Sequence, residues 1–107
     1  MKPIQVINAP AQSGKTTELI KLAAKDWLYI VCINHARARY TFEMARSMGL
    51  QIPFPVTFDE FRGGQFCGRG INGFLIDDLD EHIRYMARGV PVVAVTFTSA
   101  PPVEMKT

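Results

Sequence analysis

Two short runs in this chain combine residue types and spacing that bear on chemistry: Gly14-Lys15-Thr16 and Asp77-Asp78. The first closes the stretch I-Q-V-I-N-A-P-A-Q-S-G-K-T-T, residues 4–17. A β-branched run (Ile4, Val6, Ile7) feeds a loop there, and residues 18–25 of good helix propensity follow at once. Strand, loop and helix start are the context in which G-x-x-x-x-G-K-[ST] acts as a phosphate-binding loop. At such a helix start the backbone N–H groups lack intrahelical partners, and the helix dipole favours an anion. The expected phosphate cradle is Ala9, Pro10, Ala11, Gln12, Ser13, Gly14, Lys15, Thr16 and Thr17. Lys15 supplies a point charge for the β- and γ-phosphates, and the Thr16 hydroxyl is a ligand for Mg²⁺. The first glycine of the pattern is Ala9, which costs about 1 kcal/mol if the position needs a positive φ. The alternative for the stretch is an ordinary strand–turn–helix carrying a chance Gly-Lys-Thr.

Residues 74–78, F-L-I-D-D, read as an apolar strand ending in carboxylates. Asp77 is the candidate second metal ligand, facing Thr16 across a cleft. Asp78 is the candidate base. Many nucleotide hydrolases orient the attacking water with a glutamate at this place, and aspartate is one methylene shorter. A carboxylate displaced by about 1 Å can slow a reaction on the order of 100-fold. The alternative for the pair is a helix cap, while Asp80 and Glu81 complement the dipole of the following helix. Like charges at 77 and 78 can raise the pKa of one of them. Thr96 and Thr98, at the end of the last expected strand, are candidate γ-phosphate sensors, with plain β-propensity as the competing explanation. Arg62 and Arg69 are candidate charge stabilisers, in this subunit or a neighbouring one, against the alternative of solvated loop charges.

The elements that must position these residues follow from periodicity. After the loop, Leu19, Ile20, Ala23 and Ala24 form an apolar stripe opposite Glu18, Lys21 and Lys25. Residues 27–33, W-L-Y-I-V-C-I, suit a strand buried on both faces. Asn34 is a cap for a helix over 35–48, whose Tyr40, Met44, Ala45 and Met48 share a face, and Gly49 stops it. Residues 53–58 predict a short edge strand, with 59–61 turning away. Five glycines between 63 and 73 mark a loop. A strand over 73–77 precedes a helix carrying Leu79, Ile83, Tyr85, Met86 and Ala87, and residues 90–97 read as a last buried strand. This alternation predicts an α/β fold: a three-layer sandwich on a mostly parallel sheet of four to five strands with right-handed crossovers. The phosphate loop, Asn34, Asp77 and Thr96 all fall at strand carboxyl ends, where such sheets bind ligands.

Composition bounds the reading. At 107 residues and 12.0 kDa the chain is expected to form a single domain over 1–107. Hydrophobic content of 48% with 21% charged residues is that of a globular protein. A net charge of +2 is too small to argue for a nucleic-acid surface by itself. No apolar run approaches the ~20 residues of a membrane span. Met1-Lys2-Pro3 does not open a signal peptide, so a cytoplasmic location is expected. Cys32 reads as a core side chain and Cys67 as an exposed-thiol candidate. With His35 and His82 they complete no zinc spacing.

The order of elements resembles the first RecA-like domain of superfamily 1 helicases. The phosphate loop matches their motif I. Asn34-His35-Ala36 followed by Glu43-Met44-Ala45-Arg46 is similar to their T-N-x-A…E-M-x-x-R pattern, and Val56-Thr57-Phe58 with Phe61 to their T-F-x-x-F signature. Residues 74–78 correspond to the D-E box and 92–96 to the strand before motif III. The likeness spans nearly the whole chain, and its specific parts are the loop and the acid pair. It implies a P-loop NTPase core that binds ATP with Mg²⁺, with Lys15 and Asp78 catalytic. It also implies a surface for single-stranded DNA at Asn34, Arg37 and Arg39. The box glutamate is Asp78 here, and the Gly-Asp and Gln of motif III are absent. Helicases close two such domains around ATP, so a homo-oligomer or a larger protein partner is expected to complete the site. Gly14-Lys15-Thr16-Thr17-Glu18-Leu19-Ile20 is also similar to the phosphate loop of thymidine kinases, G-x-M-x-S-G-K-[ST]-T-E-L. Arg39-Tyr40 and Ile76-Asp77 have counterparts there, and that likeness implies that Asp78 acts as base toward a nucleoside hydroxyl. The zinc-bearing lasso of those kinases has no counterpart in this chain. The expectation is therefore an ATP- and Mg²⁺-binding protein that is a weak hydrolase. The alternatives are a nucleoside or nucleotide kinase-like phosphotransferase and a non-catalytic interaction protein with a degenerate loop.

Overall fold

The apolar run after Asp26 becomes the middle strand of a parallel sheet. The computed structural model describes residues 4–8, 10, 14–64, 70–98 and 103–104. Its elements run β1 (Ile7–Asn8), α1 (Lys15–Asp26), β2 (Tyr29–Cys32), α2 (His35–Ser47), β3 (Val56–Thr57), α3 (Phe58–Gly63), β4 (Phe74–Ile76), α4 (Leu79–Ala87) and β5 (Val103–Glu104). The three central strands lie in the order β3-β2-β4, all parallel, with Val31 opposite Val56 and Ile76, and Tyr29 opposite Phe74. The chain is thus an α/β protein, as its alternating pattern predicts.

β2 is buried on both faces. Ile30 and Cys32 point one way into a core formed with Leu19, Ile20 and Ala23 of α1 and Ala38 and Ala45 of α2. Val31 points the other way and is fully buried as well. Small residues decide the α2 contact. The helix packs through Ala38, Thr41 and Ala45, so its backbone lies close to the sheet. Of the expected face, Ala45 is buried and Met44 and Met48 pack against the core, while Tyr40 is 58% exposed beside the cleft described below.

Two expectations about strands need correction. The predicted single sheet of four to five strands is not found among the described residues. Instead β1 pairs with β5, parallel, as a separate two-stranded sheet with Ile7 opposite Val103. Residues 90–97, expected as the last buried strand, are irregular and exposed, with Val93 at 93%. β-Propensity measures fit to a paired, half-buried surface, and this segment pairs with no described strand. Residues 59–61, expected to turn away, belong to α3. A capping box starts that helix: the Thr57 hydroxyl accepts from Glu60 N–H at 3.1 Å, and the Glu60 carboxylate accepts from Thr57 N–H at 2.8 Å. No described helix is long and apolar enough to cross a membrane.

The start of α2 matches its sequence signal: Asn34 Oδ1 accepts from Arg37 N–H at 2.9 Å. Asn34→Ala is expected to lower stability by about 1 kcal/mol and Asn34→Asp to preserve it. Urea unfolding monitored by circular dichroism checks this, and equal midpoints for all three proteins would show that the cap contributes nothing.

Candidate functional site

Gly14 opens the site. It occupies the N-cap of α1 at φ 89°, a left-handed conformation that suits glycine, and it brings no side chain to cap the first turn. Lys15 and Thr16 therefore stand at an uncapped helix start. α1 is anchored one turn further on by the buried Leu19 and Ile20. On the other side Asp77 N–H donates to the Val31 carbonyl at 3.2 Å, extending the β4 ladder by one residue. Asp78 then turns left-handed at φ 53°, and α4 begins.

That turn is held from beneath. His82 is fully buried, and its Nε2 lies 2.9 Å from the Asp77 carbonyl oxygen. A carbonyl only accepts, so Nε2 is the donor in this contact. Nδ1 has no partner among the described residues. The ring packs on Phe58 at 4.8 Å between centroids, and Tyr85 meets Phe58 edge-on at 6.4 Å. A buried imidazole thus fixes the peptide that aims both carboxylates.

Three polar contacts close the site across the sheet edge. Thr16 Oγ1 donates to Asp77 Oδ2 at 3.0 Å. Lys15 Nζ lies 3.4 Å from Asp78 Oδ1, and Arg37 Nη2 lies 3.7 Å from Asp78 Oδ2. The resulting cleft has a volume of about 450 Å³, within the range of small-molecule sites. Its walls are the start of α1, the Asp77-Asp78 turn, and Arg37, Tyr40, Thr41 and Met44 of α2.

Electrostatics single out Asp77. Burial, and then the neighbouring Asp78 charge, push its carboxyl above the usual range; the Thr16 hydrogen bond, Arg37 and Lys15 oppose this less strongly. Burial likewise raises the Cys32 thiol, whose Sγ lies 3.7 Å from Thr41 Oγ1, as befits a core cysteine. Among the described residues no group of three His, Cys, Asp or Glu side chains could hold a metal ion. Mg²⁺ does not need one: it keeps several waters and takes one or two protein oxygens beside substrate phosphates. Thr16 Oγ1 and Asp77 Oδ2 are hard donors of that kind, and a cation between them would replace the hydrogen bond they share.

The other expected site residues divide. Thr17 lines the cleft, and Pro10 is exposed. Ala9, Ala11, Gln12, Ser13, Arg69 and Cys67 lie outside the described residues. Arg62 is exposed on α3 and pairs with Asp59 at 3.6 Å, away from the cleft lining. Thr96 and Thr98 are a correction: they sit in the irregular exposed segment rather than at a strand end, and neither lines the cleft. Asp78 does occupy the N-cap position of α4 but makes no side-chain cap, because its carboxylate turns to Lys15 and Arg37. Asp80 and Glu81 fall in the first turn as expected, with Asp80 paired to Arg84. Arg37, placed by resemblance on a DNA surface, has its Nη2 3.7 Å from Asp78 Oδ2 and its side chain about half exposed. The spacing 37, 40, 44 is a helix-face signal that pairs it with Tyr40 and Met44. His82 gave no comparable sign in the sequence.

No protein-family model matches the chain, and neither curated proteins nor solved structures include a significant match.

Because the folded state raises the Asp77 pKa, the native protein binds this proton more tightly than the unfolded chain does. Stability conferred by protonated Asp77 is then lost as pH rises from the ordinary carboxylate value through the raised one. Asp77→Asn is expected to melt higher than wild type at pH 7–8, the difference shrinking as pH falls through that interval. Melting curves across pH check this, and a variant that melts lower at neutral pH contradicts it.

Proposed function

We propose that this protein binds a nucleoside triphosphate, ATP, together with Mg²⁺, and hydrolyses it slowly. The observation that carries this reading is the 3.0 Å contact between Thr16 and Asp77, residues 61 positions apart in sequence. It joins a Gly-Lys-Thr helix start to a carboxylate at the end of a parallel strand, on the side of the sheet where ligands bind.

In this reading Lys15 and the amides at the start of α1 hold the phosphates. Thr16 and Asp77 would hold Mg²⁺, which would supply charge neutralisation at the phosphates. Asp78 accepts a proton from, or orients, the attacking water. With aspartate at this place the reach is short, in keeping with a slow reaction. The finer fold in this reading is a RecA-like P-loop core, with the parallel β3-β2-β4 sheet at its centre. A second copy or a larger partner, with single-stranded DNA as a candidate effector, completes the site. A phosphotransferase acting on a nucleoside is the second reading. It is favoured by Tyr40 and Met44, which add an aromatic and an apolar side chain to the cleft wall.

Titration calorimetry with Mg–ATP tests the first reading. Wild type is expected to bind, and Lys15→Ala to bind at least ~10-fold more weakly, the loss of one hydrogen bond to a charged group. Omitting Mg²⁺ should weaken wild type but change Asp77→Ala little. Absence of binding heat in wild type ends the proposal. Incubation with ATP and nucleosides, followed by chromatography, separates phosphate release from nucleotide product.

A further inference from the structure

Arg37 sits in the first turn of α2, with its side chain about half exposed, and reaches toward the head of the cleft. Its Nη2 is 3.7 Å from one oxygen of Asp78, while Lys15 Nζ is 3.4 Å from the other. Two cations from two helices thus share a single two-oxygen anion. Both separations exceed the ~2.7–2.9 Å of a tight charge-assisted hydrogen bond. Neither cation is fully engaged.

A phosphoryl group presents oxygens spaced much like those of a carboxylate and carries more charge. A guanidinium fork binds it through two parallel N–H bonds. With the phosphate tail along Gly14–Thr17 and Lys15 on its outer phosphates, the terminal phosphate faces the α2 wall, where Arg37 is the lining cation. Among the described residues the other candidates for contact with that phosphate are placed differently: Thr96 and Thr98 do not line the cleft, and Arg62 pairs with Asp59.

We propose that Arg37 reads the terminal phosphate of a bound nucleoside triphosphate, exchanging its resting partner Asp78 for that phosphate. The proposal rests on the phosphate-binding reading above and adds discrimination between triphosphate and diphosphate to it. The exchange also leaves the Asp78 oxygen that faced Arg37 able to accept a hydrogen bond from a water or hydroxyl beyond the phosphate.

The test compares binding of Mg–ADP and Mg–β,γ-imido-ATP, which is not hydrolysed, to wild type, Arg37→Ala, Arg37→Lys and Lys15→Ala. Circular dichroism confirms that each variant is folded. Wild type should prefer the triphosphate. Arg37→Ala should lose roughly 10- to 100-fold in affinity for it, while Mg–ADP changes by less than about twofold. Arg37→Lys should recover part of the loss, since it restores charge without the fork. Equal losses for both nucleotides, or none for the triphosphate, overturn the role of Arg37 and leave the phosphate site standing. No binding of either nucleotide by wild type, with Lys15→Ala indistinguishable from it, overturns the phosphate site itself.

Discussion

A hydroxyl on one helix meeting a carboxylate at the end of one strand is the constraint on which the rest of this molecule turns. Thr16 and Asp77 are brought to 3.0 Å although 61 positions separate them. Such closure costs chain entropy, and one partly buried hydrogen bond of about 1 kcal/mol does not offset it. The contact exists because apolar surfaces hold its two halves in place. Ile20 and Ala23 lock α1 against β2, and the Tyr29–Val31 register with Phe74–Ile76 locks β4 beside the same strand. β2 contributes no side chain to the three polar contacts, yet it positions both halves.

The site itself works against stability. Burial and a neighbouring acid both disfavour the charged form of Asp77. Asp78 takes a left-handed backbone conformation, which costs an L-residue about 1 kcal/mol, somewhat less for aspartate. Its carboxylate then faces two cations at distances too long for strong bonds. A fold selected for stability alone would place a glycine at 78 and an apolar residue at 77. Strain and a shifted carboxyl at one point are the physical grounds for the binding site proposed above.

Much of this was readable in the residues. The Gly-Lys-Thr helix start, the Asn34 cap and the doubly buried β2 rest on local chemistry and local periodicity, which travel with the sequence. The α3 capping box was readable too, as Thr57-x-x-Glu60, although the pattern puts Thr57 in the edge strand and Glu60 in the turn after it. On α2 the expected face of Tyr40, Met44, Ala45 and Met48 holds for Ala45, which is buried, and for Met44 and Met48, which pack against the core; Tyr40 is exposed, while Ala38 and Thr41 take the rest of the buried side. Residues 90–97 differ from expectation for another reason: good strand residues stay irregular where no neighbour offers a ladder.

The residue types and their order settled that one helix begins with an uncapped Gly-Lys-Thr turn and that a pair of acids ends an apolar strand, because such signals depend on a few adjacent side chains. They left open which cations meet those acids. Arg37 reaches Asp78, and His82 grips the Asp77 carbonyl, only once packing has brought α2 and α4 to the same edge of the sheet. Those meetings depend on how tightly small residues let helices approach strands, a property of the assembled core and not of any segment read alone.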